Sequence, residues 1–197
     1  MVYDPKDRFF KKAKQEGYAA RSVYKLQEID AKFKVFKPGF KVFDLGASPG
    51  SWSQFASQRV GKNGRVIGVD LSPVTVSMEN AVFVQADLRD LNLEEFFLEN
   101  GVNGQFDVVM SDMAPKTTGI KSADQARSLE LCELALEVSK TYLRPGGVFI
   151  CKFFQSGEFG QLRSEIKKVY SRVEALKPES TRSISKEIFL VGLGKKK

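Results

Sequence analysis

Short apolar runs that each close on an aspartate constrain this chain more than any other feature. Lys41-Val-Phe-Asp44-Leu, Arg65-Val-Ile-Gly-Val-Asp70, Ala81-Val-Phe-Val-Gln-Ala-Asp87 and Phe106-Asp-Val-Val-Met-Ser-Asp112 follow one another through the first half of the sequence. A fifth run, Val148-Phe-Ile-Cys-Lys-Phe-Phe154, has the same β-branched and aromatic character. Runs this short and apolar read as strands buried on both faces. Between them the spacing predicts helices through Trp52, Phe55 and Val60, near Leu91 to Leu98, and from Asp124 to Tyr142, with another after the fifth run from Phe159 to Tyr170. Such alternation makes parallel βαβ units with helices on both faces of the sheet. Two final runs, Val173 to Lys177 and Glu187 to Leu193, are expected to pair as an antiparallel edge hairpin. The expected class is therefore α/β, with a seven-stranded, mostly parallel sheet.

In open sheets of this kind, ligands lie beyond the carboxyl ends of the strands, near the point where strand order reverses. One strand-end carboxylate is an ordinary turn or helix N-cap residue. Asp44, Asp70, Asp87 and Asp112 in succession read as a shared site. Upstream, Asp7 to Lys14 is a short amphipathic stretch ending at Gly17. Arg21 to Phe36 sets Ser22, Leu26, Ile29, Phe33 and Phe36 at helical spacing, and Pro38-Gly39 ends it.

Composition removes several chemistries. With no histidine among the 197 residues, Ser-His-Asp and Cys-His catalysis and His-based zinc sites are excluded. Proton transfer must come from Lys, Asp, Glu, Tyr or Cys. The two cysteines, Cys132 and Cys151, have no metal-like spacing and read as reduced thiols; no metal site is expected. The N-terminus has no signal-peptide core, and no apolar run approaches the ~20 residues needed to cross a bilayer. A soluble, cytoplasmic, monomeric protein without membrane contact is expected, folded as one domain over residues 1–197.

The net charge of +7 is concentrated at one end. Met1 to Lys41 holds eleven Lys/Arg against five Asp/Glu, interleaved with Tyr3, Phe9, Phe10, Tyr18, Tyr24, Phe33 and Phe36. A basic segment with aromatics suits RNA with exposed bases. Equally, it suits a solvated helix pair whose aromatics pack inward. Residues 1–40 are thus a candidate RNA-binding segment.

The turn after the first strand, Asp44-Leu-Gly46-Ala-Ser-Pro-Gly50, departs from the dinucleotide pattern G-x-G-x-x-G because Ser48 and Pro49 break the spacing. That pattern cradles a pyrophosphate at a helix N-terminus. A glycine turn without it suits a phosphate-free adenosine cofactor, S-adenosylmethionine. Asp70 would accept hydrogen bonds from the ribose hydroxyls, and Asp87 or its neighbouring backbone would read the adenine amino group.

Three longer words carry a resemblance. Asp44-Leu-Gly-Ala-Ser-Pro-Gly-Ser-Trp52-Ser-Gln, Ser-Asp112-Met-Ala-Pro115 and Cys-Lys152-Phe-Phe-Gln155 resemble the FtsJ/RrmJ (RlmE) family of ribosomal RNA 2′-O-ribose methyltransferases, from about Arg21 to the C-terminus. The resemblance implies a Rossmann-like methyltransferase fold. It also implies an S-adenosylmethionine site formed by Gly46, Gly50, Trp52, Asp70, Asp87, Leu88 and Asp112. It implies the family's catalytic K-D-K-E tetrad at Lys25, Asp112, Lys152 and Glu187. The compact single domain is similar to the members that methylate a uridine in the A-loop of large-subunit (23S-type) rRNA, within the assembled subunit.

Each tetrad member has an ordinary reading beside this one. Lys152 stands in an apolar strand, where an uncompensated ammonium is costly, unless it snorkels to water. Lys25 borders the buried stripe as helix-edge lysines do, and Glu187 opens the last strand as a solvated carboxylate would. As a set, they suit activation of a 2′-hydroxyl: Lys152 removes its proton or stabilises the oxyanion, and the other three position Lys152 and tune its charge. The Asp112-Met-Ala-Pro word lacks the Pro-Pro-aromatic of enzymes that methylate base amino groups. Three other readings stand: a tRNA 2′-O-methyltransferase, a non-catalytic RNA-binding module with the same fold, and an NAD-dependent oxidoreductase. The broken glycine spacing and the lack of a hydride-transfer site count against the last.

Overall fold

A computed structural model describes residues 8–197; Met1 to Asp7, including Tyr3 and the expected helix start at Asp7, lie outside the described residues. The chain runs α1 (Arg8–Gln15), α2 (Val23–Phe33), β1 (Lys41–Leu45), α3 (Ser51–Val60), β2 (Arg65–Asp70), β3 (Ala81–Gln85) and α4 (Leu93–Glu99). It continues through β4 (Phe106–Ser111), α5 (Lys121–Tyr142), β5 (Leu143–Phe154), α6 (Phe159–Val169), β6 (Tyr170–Leu176) and β7 (Glu187–Lys195).

The seven strands form one sheet in the order β3-β2-β1-β4-β5-β7-β6. The first five are parallel, and β7 runs antiparallel between β5 and β6. The expected hairpin is there, but its second strand is the inner one, so β7 lies directly beside Lys152 on β5. Strand order reverses between β1 and β4, which opens a crevice at their carboxyl ends.

Alternation along the strands divides the core in two. Phe43, Leu45, Ile67, Val109, Phe149, Cys151 and Phe153 face the side covered by α4, α5 and α6. Val42, Val66, Val108, Met110, Ile150 and Phe189 face α2 and α3, meeting Leu26, Ile29, Trp52 and Ala56. Each fully buried Phe or Leu contributes about 1.5–3 kcal/mol relative to exposure. Helix α1 packs apart from both, through Ala13 against Val23 and Tyr24.

Several boundaries differ from expectation for local reasons. Helix α2 stops at Phe33, where Lys34 turns left-handed (φ 54°) and donates its N–H to the oxygen of Asp30. Phe36 is still buried, because its N–H is held by the Asp30 carboxylate at 3.1 Å. Strands β3 and β4 end before Asp87 and Asp112, which stand just beyond them. Helix α5 begins earlier than Asp124, at Lys121. Because the fifth strand begins at Leu143 rather than Val148, Pro145-Gly146-Gly147 is no linker. It lies within β5, where the pairing with β4 shifts register between Phe106 and Val108, the irregularity that admits Pro and Gly into a strand.

Candidate active site

The crevice beyond β1, β2 and β4 holds a cavity of about 300 Å³, lined among others by Gly46, Asp70, Asp87, Leu88, Asp112 and Met113. The turn after β1 makes room for it. Gly46 has φ +78°, and a Cβ there would sit 2.7 Å from the Met113 side chain and 3.0 Å from its backbone. Only glycine lets the first turn approach the loop that carries Asp112.

Asp70 is fixed by its own loop: one oxygen accepts from Ser48 N–H at 2.9 Å and the other from Ser72 N–H at 2.7 Å. Each carboxylate oxygen has further lone-pair capacity, which suits a pair of ribose hydroxyls. Asp87 accepts from Arg89 N–H at 3.0 Å, which anchors the Ala86–Leu88 stretch along the cavity wall. This donor set fits an adenosine with a cationic tail and offers no lysine or arginine cradle for a pyrophosphate beyond Arg89.

Gly50 and Trp52 are not in the cavity lining. Gly50 (φ +116°) faces Val74 and Val76, and a Cβ would sit 2.2 Å from the latter. Trp52 is 2% exposed and packs on Phe189 with ring centroids 5.6 Å apart. Its indole N–H is already used, donating to the Ser22 main-chain oxygen at 2.9 Å. What Trp52 can offer a ligand is its main-chain N–H, one of those without an intrahelical partner in the first turn of α3.

Beneath the cavity, Asp44 is fully buried on the α3 side of β1. One oxygen accepts from the Ser53 hydroxyl at 2.6 Å, and the other has no partner. Burial pushes its carboxyl up to about 7; the Ser53 bond opposes this, and nearby Asp112 and Asp70 reinforce it.

The four tetrad positions come from α2, the loop just after β4, β5 and β7, and lie on the α2 side of the sheet. Lys152 Nζ lies 2.9 Å from an Asp112 carboxylate oxygen and donates to the Asp112 main-chain oxygen at 2.5 Å. Lys25 forms an ion pair with Glu187. All four side chains are only 9–17% exposed, so both pairs are largely desolvated and removing one partner would strand the other. Across the β5–β7 ladder Lys152 faces Phe189 and Phe154 faces Glu187. Lys152 and Glu187 are thus diagonal neighbours on one face, within reach of long side chains. The Phe189 ring, opposite Lys152 on the ladder, lies near Lys25, whose Nζ is 5.9 Å from its centroid.

Supporting contacts that sequence reasoning missed hold this geometry. Cys132 on α5 gives its thiol to the Lys152 main-chain oxygen at 2.9 Å, and the hydroxyls of Ser22 and Ser51 are 2.9 Å apart between α2 and α3. Neither has a sequence signature, since each depends on how helices pack on the sheet. Among the described residues, no group of three metal-ligating side chains comes together.

The model of a family described as FtsJ-like methyltransferase matches residues 18–195. The chain is 67% identical, over the full length of both, to ribosomal RNA large subunit methyltransferase E of Bdellovibrio bacteriovorus. It is 48% identical to the protein of the same name from Desulfatibacillum aliphaticivorans, over 97% of this chain and 91% of that one. Among solved structures, a protein from Plasmodium falciparum described as a ribosomal RNA methyltransferase is similar, with a TM-score of 0.77 and 28% identity. That match covers 90% of this chain and 98% of the other. The fold also matches Aeropyrum pernix fibrillarin, solved with bound S-adenosyl-L-methionine (TM-score 0.58, 15% identity, 80% and 67% covered).

Proposed function

The chain belongs to the FtsJ-like methyltransferase family, and from that premise we propose that it methylates a ribose 2′-hydroxyl of large-subunit ribosomal RNA. It is an S-adenosylmethionine-dependent enzyme. The cofactor, when bound, supplies an activated methyl group on a sulfonium; everything else falls to the chain's own side chains. Asp70 would hold the ribose of the cofactor, the Asp87 stretch would meet its adenine, and Asp112 belongs to both the cavity lining and the tetrad.

The observation that carries the reading is the pair of buried lysine–carboxylate contacts, Lys152–Asp112 and Lys25–Glu187, beside a cavity suited to an adenosine. An alcohol needs help to become a nucleophile, and an activated methyl needs chiefly in-line alignment. Lys152 would take up the 2′-hydroxyl proton or balance the charge on oxygen as the new C–O bond forms and the methyl–sulfur bond breaks, its electron pair staying on the departing thioether. Asp112 orients Lys152, and the Lys25–Glu187 pair fixes the ribose side of the site.

The basic segment 1–40 adds charge for the RNA backbone, and α1 displays Arg8, Lys11, Lys12 and Lys14 on its exposed face. The finer substrate is a uridine of the A-loop in the assembled subunit, modified by a monomer in the cytoplasm. Among the described residues, no helix is long and apolar enough to cross a membrane.

The test incubates the protein and labelled S-adenosylmethionine with free rRNA, large subunits and tRNA, all from a strain lacking the enzyme, and maps the label. Label on the 2′-oxygen of an A-loop uridine, strongest in subunits, is the expected result. Label in tRNA, on a base, or nowhere would refute the reading.

A further inference from the structure

A second cavity, of about 190 Å³, opens next to the tetrad and is not used by the chemistry above. The same two strands build both sites. Phe154 lies two residues past Lys152 on β5, about 6.6 Å at ~3.3 Å per residue, and faces Glu187 across the ladder. Phe154, Gln155, Ser185 and Lys186 line the cavity, and Lys121, Gln125 and Asp124 join them from α5, the Asp124 carboxylate being already engaged by Thr118 and the Gly119 N–H.

Its walls are anchored. Gln155 N–H donates to the Lys186 oxygen at 3.0 Å, Phe154 N–H to the Ser128 hydroxyl at 3.0 Å, and the Gln125 amide to the Gln155 oxygen at 2.6 Å. The groups that face outward are uncommitted. Among the described residues, Lys121 and Lys186 make no ion pair and the Gln155 side chain makes no hydrogen bond. Two exposed aliphatic residues, Ile120 (63%) and Ile184 (88%), stand beside these lysines.

An aromatic wall, a free amide and two cations at the rim form the combination that receives an unstacked base with its phosphates. Resting on the RNA ribose reading above, we propose that this cavity holds the base of the nucleotide next to the methylated one. Phe154 stacks on that base, Gln155 reads its edge, and Lys121 and Lys186 contact the flanking phosphates. The distance from Lys152 suits an immediate neighbour rather than a remote nucleotide. Selection of one ribose among many would then come from the base beside it.

The test uses unmethylated large subunits whose rRNA carries base substitutions on either side of the modified nucleotide. Wild-type protein should lose kcat/KM about tenfold with the wrong neighbour, the size expected when the Gln155 amide loses its hydrogen bonds to the base edge. Phe154→Ala should raise KM for subunits by a similar factor and change kcat much less. Gln155→Ala should flatten the preference among neighbours. Lys121→Ala with Lys186→Ala, both on the surface, should raise KM and reduce its salt dependence without risk to folding. Unchanged KM in the lysine pair, with wild-type indifference to both neighbours, would overturn the proposal. Absence of ribose methylation by the wild type would overturn the underlying reading and this proposal together.

Discussion

Trp52 donates its indole N–H to the main-chain oxygen of Ser22 at 2.9 Å, tying the first turn of α3 to the start of the helix that carries Lys25. The same ring packs on Phe189, which lies opposite Lys152 on β7. Trp52 therefore braces two of the elements that bring the tetrad together.

Trp52→Phe keeps most of the packing and removes the hydrogen bond. It should cost about 1 kcal/mol of stability and lower kcat more than it weakens cofactor binding, because Lys25 loses its fixed position. Trp52→Ala should cost about 3–5 kcal/mol. Thermal unfolding, a cofactor titration and single-turnover methylation separate these effects. A large loss of cofactor affinity in Trp52→Phe, with turnover intact, would contradict the bracing role.

Lys152→Ala should reduce kcat by about 10²–10⁴-fold, the range for a positioned proton-transfer group. Lys152 is outside the cofactor cavity lining, so cofactor affinity should fall far less than turnover. Asp112→Ala should lower both, since Asp112 lines the cavity and also holds Lys152. Labelled methyl transfer and equilibrium binding, measured on the same preparations, check the split.

Strand identity was legible because buried parallel strands need continuous apolar runs, and the strand-end acids follow from where such sheets leave a crevice. Asp70, Asp87 and Asp112 could be found this way and Gly46 from its turn, whereas Leu88 came from the family resemblance; all five line one cavity. The destination of Trp52 could not be read, because a motif position does not say whether a side chain turns toward the crevice or beneath it. Lys25 and Glu187 were individually ordinary in the sequence. Their pairing depends on β7 inserting between β5 and β6, a long-range arrangement that local pattern does not specify. The early start of β5 at Leu143 could not be read for a related reason: in Pro145-Gly146-Gly147 a bulge and a turn draw on the same residues.

Asp44 predicts a pH effect. Its folded carboxyl is raised to about 7, mainly by burial, so the folded chain holds this proton more tightly than the unfolded chain does. The resulting stability is full below about pH 4 and is lost as pH rises through about 7, on the order of 4 kcal/mol at most. A cationic cofactor in the cavity lined by Asp70 and Asp112 would favour the ionised form of Asp44. Cofactor affinity should therefore rise between pH 6 and 8, with up to one proton released per molecule bound. Calorimetry in buffers of different ionisation heat counts that proton. Asp44→Asn should abolish the release; a variant that kept it would assign the proton to another group.

Helix α1 yields the last expectation. Ala13 packs against Val23 and Tyr24, which turns Lys11 and Lys14 outward. Neither makes an ion pair among the described residues, whereas Lys12 pairs with Glu16 at 3.7 Å. Phosphate contacts by free lysines release counterions, and each contributes about 0.7 to the slope of log K against log salt for single-stranded RNA. Lys11→Ala with Lys14→Ala should then lower that slope by up to about 1.4 and weaken RNA binding most at low salt. At saturating RNA, kcat should stay near wild type, because both residues lie far along the chain from the tetrad strands. Filter binding across a salt series reads the slope directly. An unchanged slope would mean that RNA approaches the site by another face and that α1 serves only to cover Tyr24.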